Sequence, residues 1–138
     1  MDGEEGMTMG SNAETARAMY ESLAAGDVSI LFTTFDDKVE WQEPEGLPFE
    51  NQVGPQAIVE NVLGPVLGLI PDFRSDVREF VDGGNVVCVI GTYHGTGATT
   101  GVELDADFVH VLRFGADGKI TRFSIHTDTH LWRQSLGL

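Results

Sequence analysis

Glu43, followed by Pro44, closes a segment in which apolar and polar residues alternate, and His110 lies mid-run in Phe108-Val109-His110-Val111-Leu112. An ionisable group in each of two apolar segments can give one hydrophobic pocket a proton acceptor and a proton donor. That is enough for acid/base chemistry without a cofactor. Glu43 shares a strand face with Trp41, and a carboxylate beside an indole in a poorly solvated pocket has a raised pKa because its charged form is disfavoured. The alternative is a solvated glutamate at a strand end beside Glu45 and Glu50. His110 shares its face with Ala106, Phe108, Leu112 and Phe114. It is either a proton carrier in an apolar layer or a core histidine satisfied by a carbonyl or hydroxyl, and the residues alone leave both open.

Other constellations are weaker. His126, Asp128 and His130 alternate as metal ligands on one strand face could. However, the strand is expected to end near Asp128, which then accepts backbone hydrogen bonds from a following loop or helix. Gly95 to Gly101 has the glycines of a phosphate-cradling loop but no lysine and no following helix, and it reads as a hairpin connection. Ser29, Ser75 and Ser124 lie in no nucleophile-elbow setting. Cys88 reads as a small buried hydrophobe within Val86-Val87-Cys88-Val89-Ile90.

The elements that must position Glu43 and His110 can be read in turn. Met1 to Gly10 is rich in Gly and Glu without a period, and residues 1–12 read as a disordered leader. Ser11-x-x-Glu14 fits a capping box, and Ala16, Met19, Tyr20 and Leu23 recur at helical spacing until Gly26. Asp27 can cap a second helix with a stripe of Val28, Leu31, Phe32 and Phe35. Lys38 to Glu43 alternates as a half-buried strand, and Glu45 to Gly54 reads as a loop over the mouth of whatever that strand lines. A third helix starts with Pro55 in its first turn and is closed by Pro71, with a kink at Gly64-Pro65. Strands follow over roughly 74–82, 85–96, 102–114 and 119–128, joined by turns into antiparallel hairpins. Three helices followed by a meander predict an α+β fold.

At 138 residues the chain fits one domain. Its formal charge of −14, from 22 acidic against 8 basic residues, repels polyanions and disfavours nucleic acid and anionic membrane surfaces as partners. One cysteine cannot form an internal disulfide, and neither a signal-peptide pattern nor a membrane-spanning apolar run is present, so a cytoplasmic location is expected.

The run Tyr20-Glu-Ser-Leu-Ala-Ala-Gly-Asp27, then Leu31-Phe32, Phe35-Asp36-Asp37, Val39-Glu40-Trp41-Gln42-Glu43-Pro44, Gly91-Thr92-Tyr93-His94-Gly95-Thr96-Gly97, Asp105 to Val111, Gly118-Lys119-Ile120 and Thr127-Asp128-Thr129 resembles the SnoaL-like, ketosteroid-isomerase-like proteins of the nuclear-transport-factor-two-like superfamily. The resemblance covers residues 13–130 and leaves 131–138 as a C-terminal tail. It implies a cone-shaped α+β barrel, three N-terminal helices on a strongly curved, mainly antiparallel sheet. It puts Glu43 where the isomerases carry a general base and His110 near their oxyanion-hole acid. It further implies a homodimer through the outer sheet face, which suits Val109 and Val111. Two departures stand out: the isomerase helix-one tyrosine falls at Met19, so that Tyr20 is about 100° of helical rotation away, and Ile125 stands where cyclase-like members often place an acidic or amide side chain.

The resulting expectation is an isomerase- or cyclase-type enzyme without cofactor or metal, acting on a hydrophobic cyclic or polyketide-like small molecule. Glu43 takes a proton alpha to a carbonyl and His110 stabilises or protonates the enolate oxygen. Trp41, Ile58, Val62, Phe108, Phe123 and Ile125 line the wall, and Tyr20 and Tyr93 offer polar contacts. A ligand-binding or dimerisation module of the same fold is the alternative. Epoxide hydrolysis ranks last, because Arg113 falls on the opposite strand face from His110.

Overall fold

Ser11 opens the first helix through a complete capping box, its hydroxyl accepting from the Glu14 N–H while the Glu14 carboxylate accepts from its own N–H. The computed structural model describes residues 11–138. The leader read over residues 1–12 lies outside the described residues apart from Ser11 and Asn12, which already form this helix start. Helix α1 spans Asn12–Ala24 and buries Ala16 and Met19. Asp27 caps a 3-10 turn, Val28–Ile30, which runs into the short helix α2, Leu31–Thr34. Phe35 does not extend that helix. It begins strand β1, Phe35–Gln42, whose alternation buries Phe35, Val39 and Trp41.

After the two-residue strand β2, Gln52–Val53, one helical segment contains α3, Pro55–Ile58, a π turn over Val59–Leu63, and α4, Gly64–Leu69. The π turn sits where the sequence predicts a kink. Pro65 has no N–H to offer the carbonyl four residues back, and the Gly64 N–H reaches five residues back to the Val59 carbonyl.

Four longer strands complete the sheet: β3, Arg74–Asp82; β4, Val86–Thr96; β5, Glu103–Phe114; and β6, Ile120–Thr127. The order is β2-β1-β6-β5-β4-β3, with β1 and β6 parallel and every other pairing antiparallel. The sheet stays open and curves round the helices as a cone, so the expected fold class is the observed one. One face carries the core, including Val87, Val89, Phe108, Leu112 and Ile120. The other leaves Cys88, Ile90, Val109 and Val111 half-buried.

Residues 131–138, read from the sequence as a tail, carry most of a fifth helix. α5 spans Thr129–Leu136, is capped by Asp128 accepting from the Leu131 N–H, ends at a left-handed Gly137, and buries Trp132 and Ser135. Among the described residues no helix is long and apolar enough to cross a membrane.

Candidate active site

Strand β1 ends one residue before Glu43, and the period-two alternation places this carboxylate on the same face as Trp41. The Trp41 indole N–H donates to Glu43 Oε2 at 2.5 Å, and Asn51 Oδ1 accepts the Glu43 backbone N–H at 2.8 Å. Trp41 is itself held flat against Phe123, with ring centroids 4.4 Å apart and planes 8° from parallel. Burial pushes the Glu43 carboxyl from its ordinary 4.5 up to about 7, even though the Trp41 hydrogen bond pulls it down. A carboxylate poised there is a competent base at neutral pH.

His110 lies mid-strand on β5, facing inward and 4% exposed. Both of its nitrogens are taken. Tyr20 Oη lies 2.5 Å from Nδ1 and Tyr93 Oη lies 2.5 Å from Nε2. Burial, with a smaller contribution from His126, pushes the imidazole down to about 3, so the ring is neutral. Burial also raises both tyrosine hydroxyls, helped by Tyr93 in the case of Tyr20 and by Glu43 in the case of Tyr93. The chain Tyr20–His110–Tyr93 is therefore uncharged. Neutral imidazole has one N–H and one lone pair, so one tyrosine donates to the ring while the other accepts from it and keeps its own proton for a ligand.

Phe108 supports this chain from below, stacked on His110 at 4.1 Å and on Tyr93 at 4.4 Å. Its ring fits because position 91 has no side chain. A Cβ at Gly91 would stand 2.6 Å from Phe108 Cζ and 2.4 Å from the Asp76 carbonyl oxygen.

Glu43 and the Tyr20–His110–Tyr93 chain open onto one cavity of about 390 Å³, walled by Trp41, Phe123 and Ile125 from the sheet and Val62 and Val66 from the helical segment. Eight of the ten residues singled out from the sequence line it. The two corrections are Ile58 and Phe108. Ile58, fully buried, lies in α3, which packs against β1, and Phe108 is closed off beneath the His110 and Tyr93 rings. Tyr20 does reach the site: Met19 is buried in the core, and the neighbouring Tyr20 carries its hydroxyl to His110. Sequence reasoning missed Leu47, Phe49, Phe73 and Trp132, all lining the cavity. Asp128 is occupied as the α5 cap, and among the described residues no three His, Cys, Asp or Glu side chains group as metal ligands would. Arg113 is exposed on the outer face.

A family model described as the SnoaL-like domain matches residues 16–123. The chain belongs to the SnoaL-like family. Its fold is shared by an NTF2-like protein from Burkholderia thailandensis, 26% identical with a TM-score of 0.88 over 93% of this chain and 98% of that one. TerC, co-crystallised with polyporic acid, is 29% identical with a TM-score of 0.82 over 92% and 98% of the two chains. Bal32a, from a soil-derived mobile gene cassette, is 25% identical with a TM-score of 0.79 over 91% and 95%. No curated protein matches the chain. The SnoaL-like match includes Tyr20, Glu43, Tyr93 and His110 but ends before α5. A catalytic or ligand-binding role fits this SnoaL-like cavity.

Proposed function

We propose that the protein is a cofactor-independent acid/base enzyme, of isomerase or cyclase type, acting on a hydrophobic cyclic small molecule. The observation that carries the reading is the convergence of a carboxylate of pKa about 7 and a neutral Tyr–His–Tyr chain on one apolar-walled cavity. Glu43 removes a proton from the carbon alpha to a carbonyl. The C–H electron pair becomes the enolate double bond, and charge builds on the carbonyl oxygen. Tyr93, whose pKa responds to Glu43, meets that oxygen with its hydroxyl. For Tyr93 to have a proton to give, the imidazole N–H is on Nε2 and Tyr20 donates to Nδ1. The protonated Glu43 then returns its proton to carbon. His110 thus acts through Tyr93, and at a pKa of about 3 it carries no positive charge to the oxyanion.

TerC's co-crystallisation with polyporic acid supports a small organic molecule as the ligand class. It also supports the second reading, a module that holds such a molecule without transforming it. We infer in addition a homodimer through the outer sheet face, where Cys88, Ile90, Val109 and Val111 remain half-buried. Proton abstraction is tested with 2-tetralone in deuterium oxide, following loss of its alpha-proton NMR signals. The enzyme accelerates exchange over buffer, and Glu43→Gln lowers the acceleration by about 100-fold or more. Unchanged exchange in the Gln variant removes Glu43 as the base, and binding of 2-tetralone without exchange favours the holding module.

A further inference from the structure

Helix α5 lies beyond the residues matched by the family model, yet it is fastened to the segment that follows Glu43. Arg133 Nη1 donates to the Gly46 carbonyl at 2.7 Å. Gly46 adopts a φ of +98°, a turn conformation that turns the chain beneath the helix, and a Cβ there would meet Thr129 at 3.8 Å. Three residues on, Phe49 stands edge-on to Trp132 at 6.0 Å, and Trp132 packs in turn on Tyr93 at 5.3 Å and Phe73 at 5.7 Å. The other end of the helix is equally fixed. Thr100 Oγ1 donates to the Ser135 carbonyl at 2.6 Å, and the backbone at Gly97 comes so close that a Cβ would lie 1.9 Å from the same oxygen.

These contacts make α5 a strap between the β4–β5 connection and the 44–51 loop. We propose that Arg133 and Trp132 are positioning residues, which hold the 44–51 loop closed over the Glu43 end of the cavity and so keep water from the carboxylate.

Arg133 acts through the loop and not through its charge. Its guanidinium is directed to the Gly46 carbonyl, whereas the pKa of Glu43 responds to burial and to Trp41. The other ionisable groups lining the cavity with Glu43 are Tyr20 on α1, Arg74 and Asp76 on β3, Tyr93 on β4 and His110 on β5, while Glu45 and Glu50 lie on the loop itself. This distinction gives the two possible roles of Arg133 opposite signs. Removing a nearby cation raises a carboxyl pKa; admitting water lowers one that burial had raised.

The experiment is a carbon-13 titration of the Glu43 side-chain carboxyl in the full chain, assigned by its loss in Glu43→Gln. It needs no substrate, so it reads separately from the proposed reaction. In Arg133→Ala the midpoint falls from about 7 toward 4.5, by about one unit. Arg133→Lys, which keeps a donor for Gly46, restores most of the difference. Phe49→Leu, which loosens the loop with no change of charge, lowers the midpoint in the same direction. A midpoint that rises or stays put in Arg133→Ala overturns the proposal, as does an unchanged midpoint in Phe49→Leu should the alanine variant not fold. Normal midpoints with no exchange of 2-tetralone would instead count against the catalytic reading alone.

Discussion

Replacing Glu43 with glutamine should make the protein more stable at neutral pH while disabling proton abstraction. The folded carboxyl titrates at about 7 against an ordinary 4.5, so between these values the native state holds a proton that the unfolded chain has released. Where the native state binds more protons, stability falls as pH rises. At about 1.4 kcal/mol per unit, this window corresponds to a loss of up to about 3 kcal/mol by pH 8, which glutamine does not suffer. For a chain of this length that is on the order of 10 °C in Tm. His110 contributes with the opposite sign. Its folded pKa of about 3 lies below 6.5, so its contribution is complete above 6.5 and is lost as pH falls toward 3. Between 4.5 and 6.5 the two slopes oppose each other, and below 4.5 only the histidine slope remains. Urea unfolding of wild type and Glu43→Gln at pH 8, 6 and 4 measures this. The variant's advantage is largest at pH 8 and vanishes at pH 4. Equal stabilities at pH 8, or an advantage independent of pH, would refute the claim that Glu43 is ionised at a cost inside the fold.

Trp41→Phe removes the indole donor that stabilises the Glu43 carboxylate. A hydrogen bond to a charged group contributes about 1.5–3 kcal/mol, so the acidic limb of the pH–exchange profile moves upward by roughly one to two units, measured with 2-tetralone. Gly91→Ala forces a methyl against Phe108 and the Asp76 carbonyl. It destabilises by about 1–3 kcal/mol in urea unfolding and perturbs the His110 ring signals by NMR, because Phe108 can no longer lie flat beneath that ring.

The four long strands were legible because alternation and glycine turns mark them to within a residue. Val39 and Trp41 show the buried face of β1, whereas its start was missed because Phe35 continues the helical spacing of Val28, Leu31 and Phe32. The convergence of Glu43 with His110 was legible as a possibility, since both sit on inward positions of an alternating strand. What could not be read was how the helices turn. Ile58 and Val62 share a helical stripe on paper, but the π turn begins between them, so Ile58 stays with β1 while Val62 faces the cavity. The Tyr20 contact was obscured because a rotation argument tracks the Cα direction and ignores the reach of a phenol. Helix α5 was overlooked for a different reason. Eight residues hold barely two turns of periodicity, although its Asp128 cap and its Gly137 stop were both visible in the sequence.

The parallel pairing of β1 with β6 has a consequence for how the chain acquires its site. Trp41 sits in register with Phe123, so the first strand to emerge from the ribosome finds its partner only when nearly everything else has been made. Until then β1 has only the two-residue β2 beside it, and its Phe35, Val39 and Trp41 await the sheet that will cover them. Such a long loop closure slows folding. Before Ile120–Thr127 is made, Trp41 has no Phe123 to lie flat against, so the indole that donates to the Glu43 carboxylate is among the last parts of the site to be fixed.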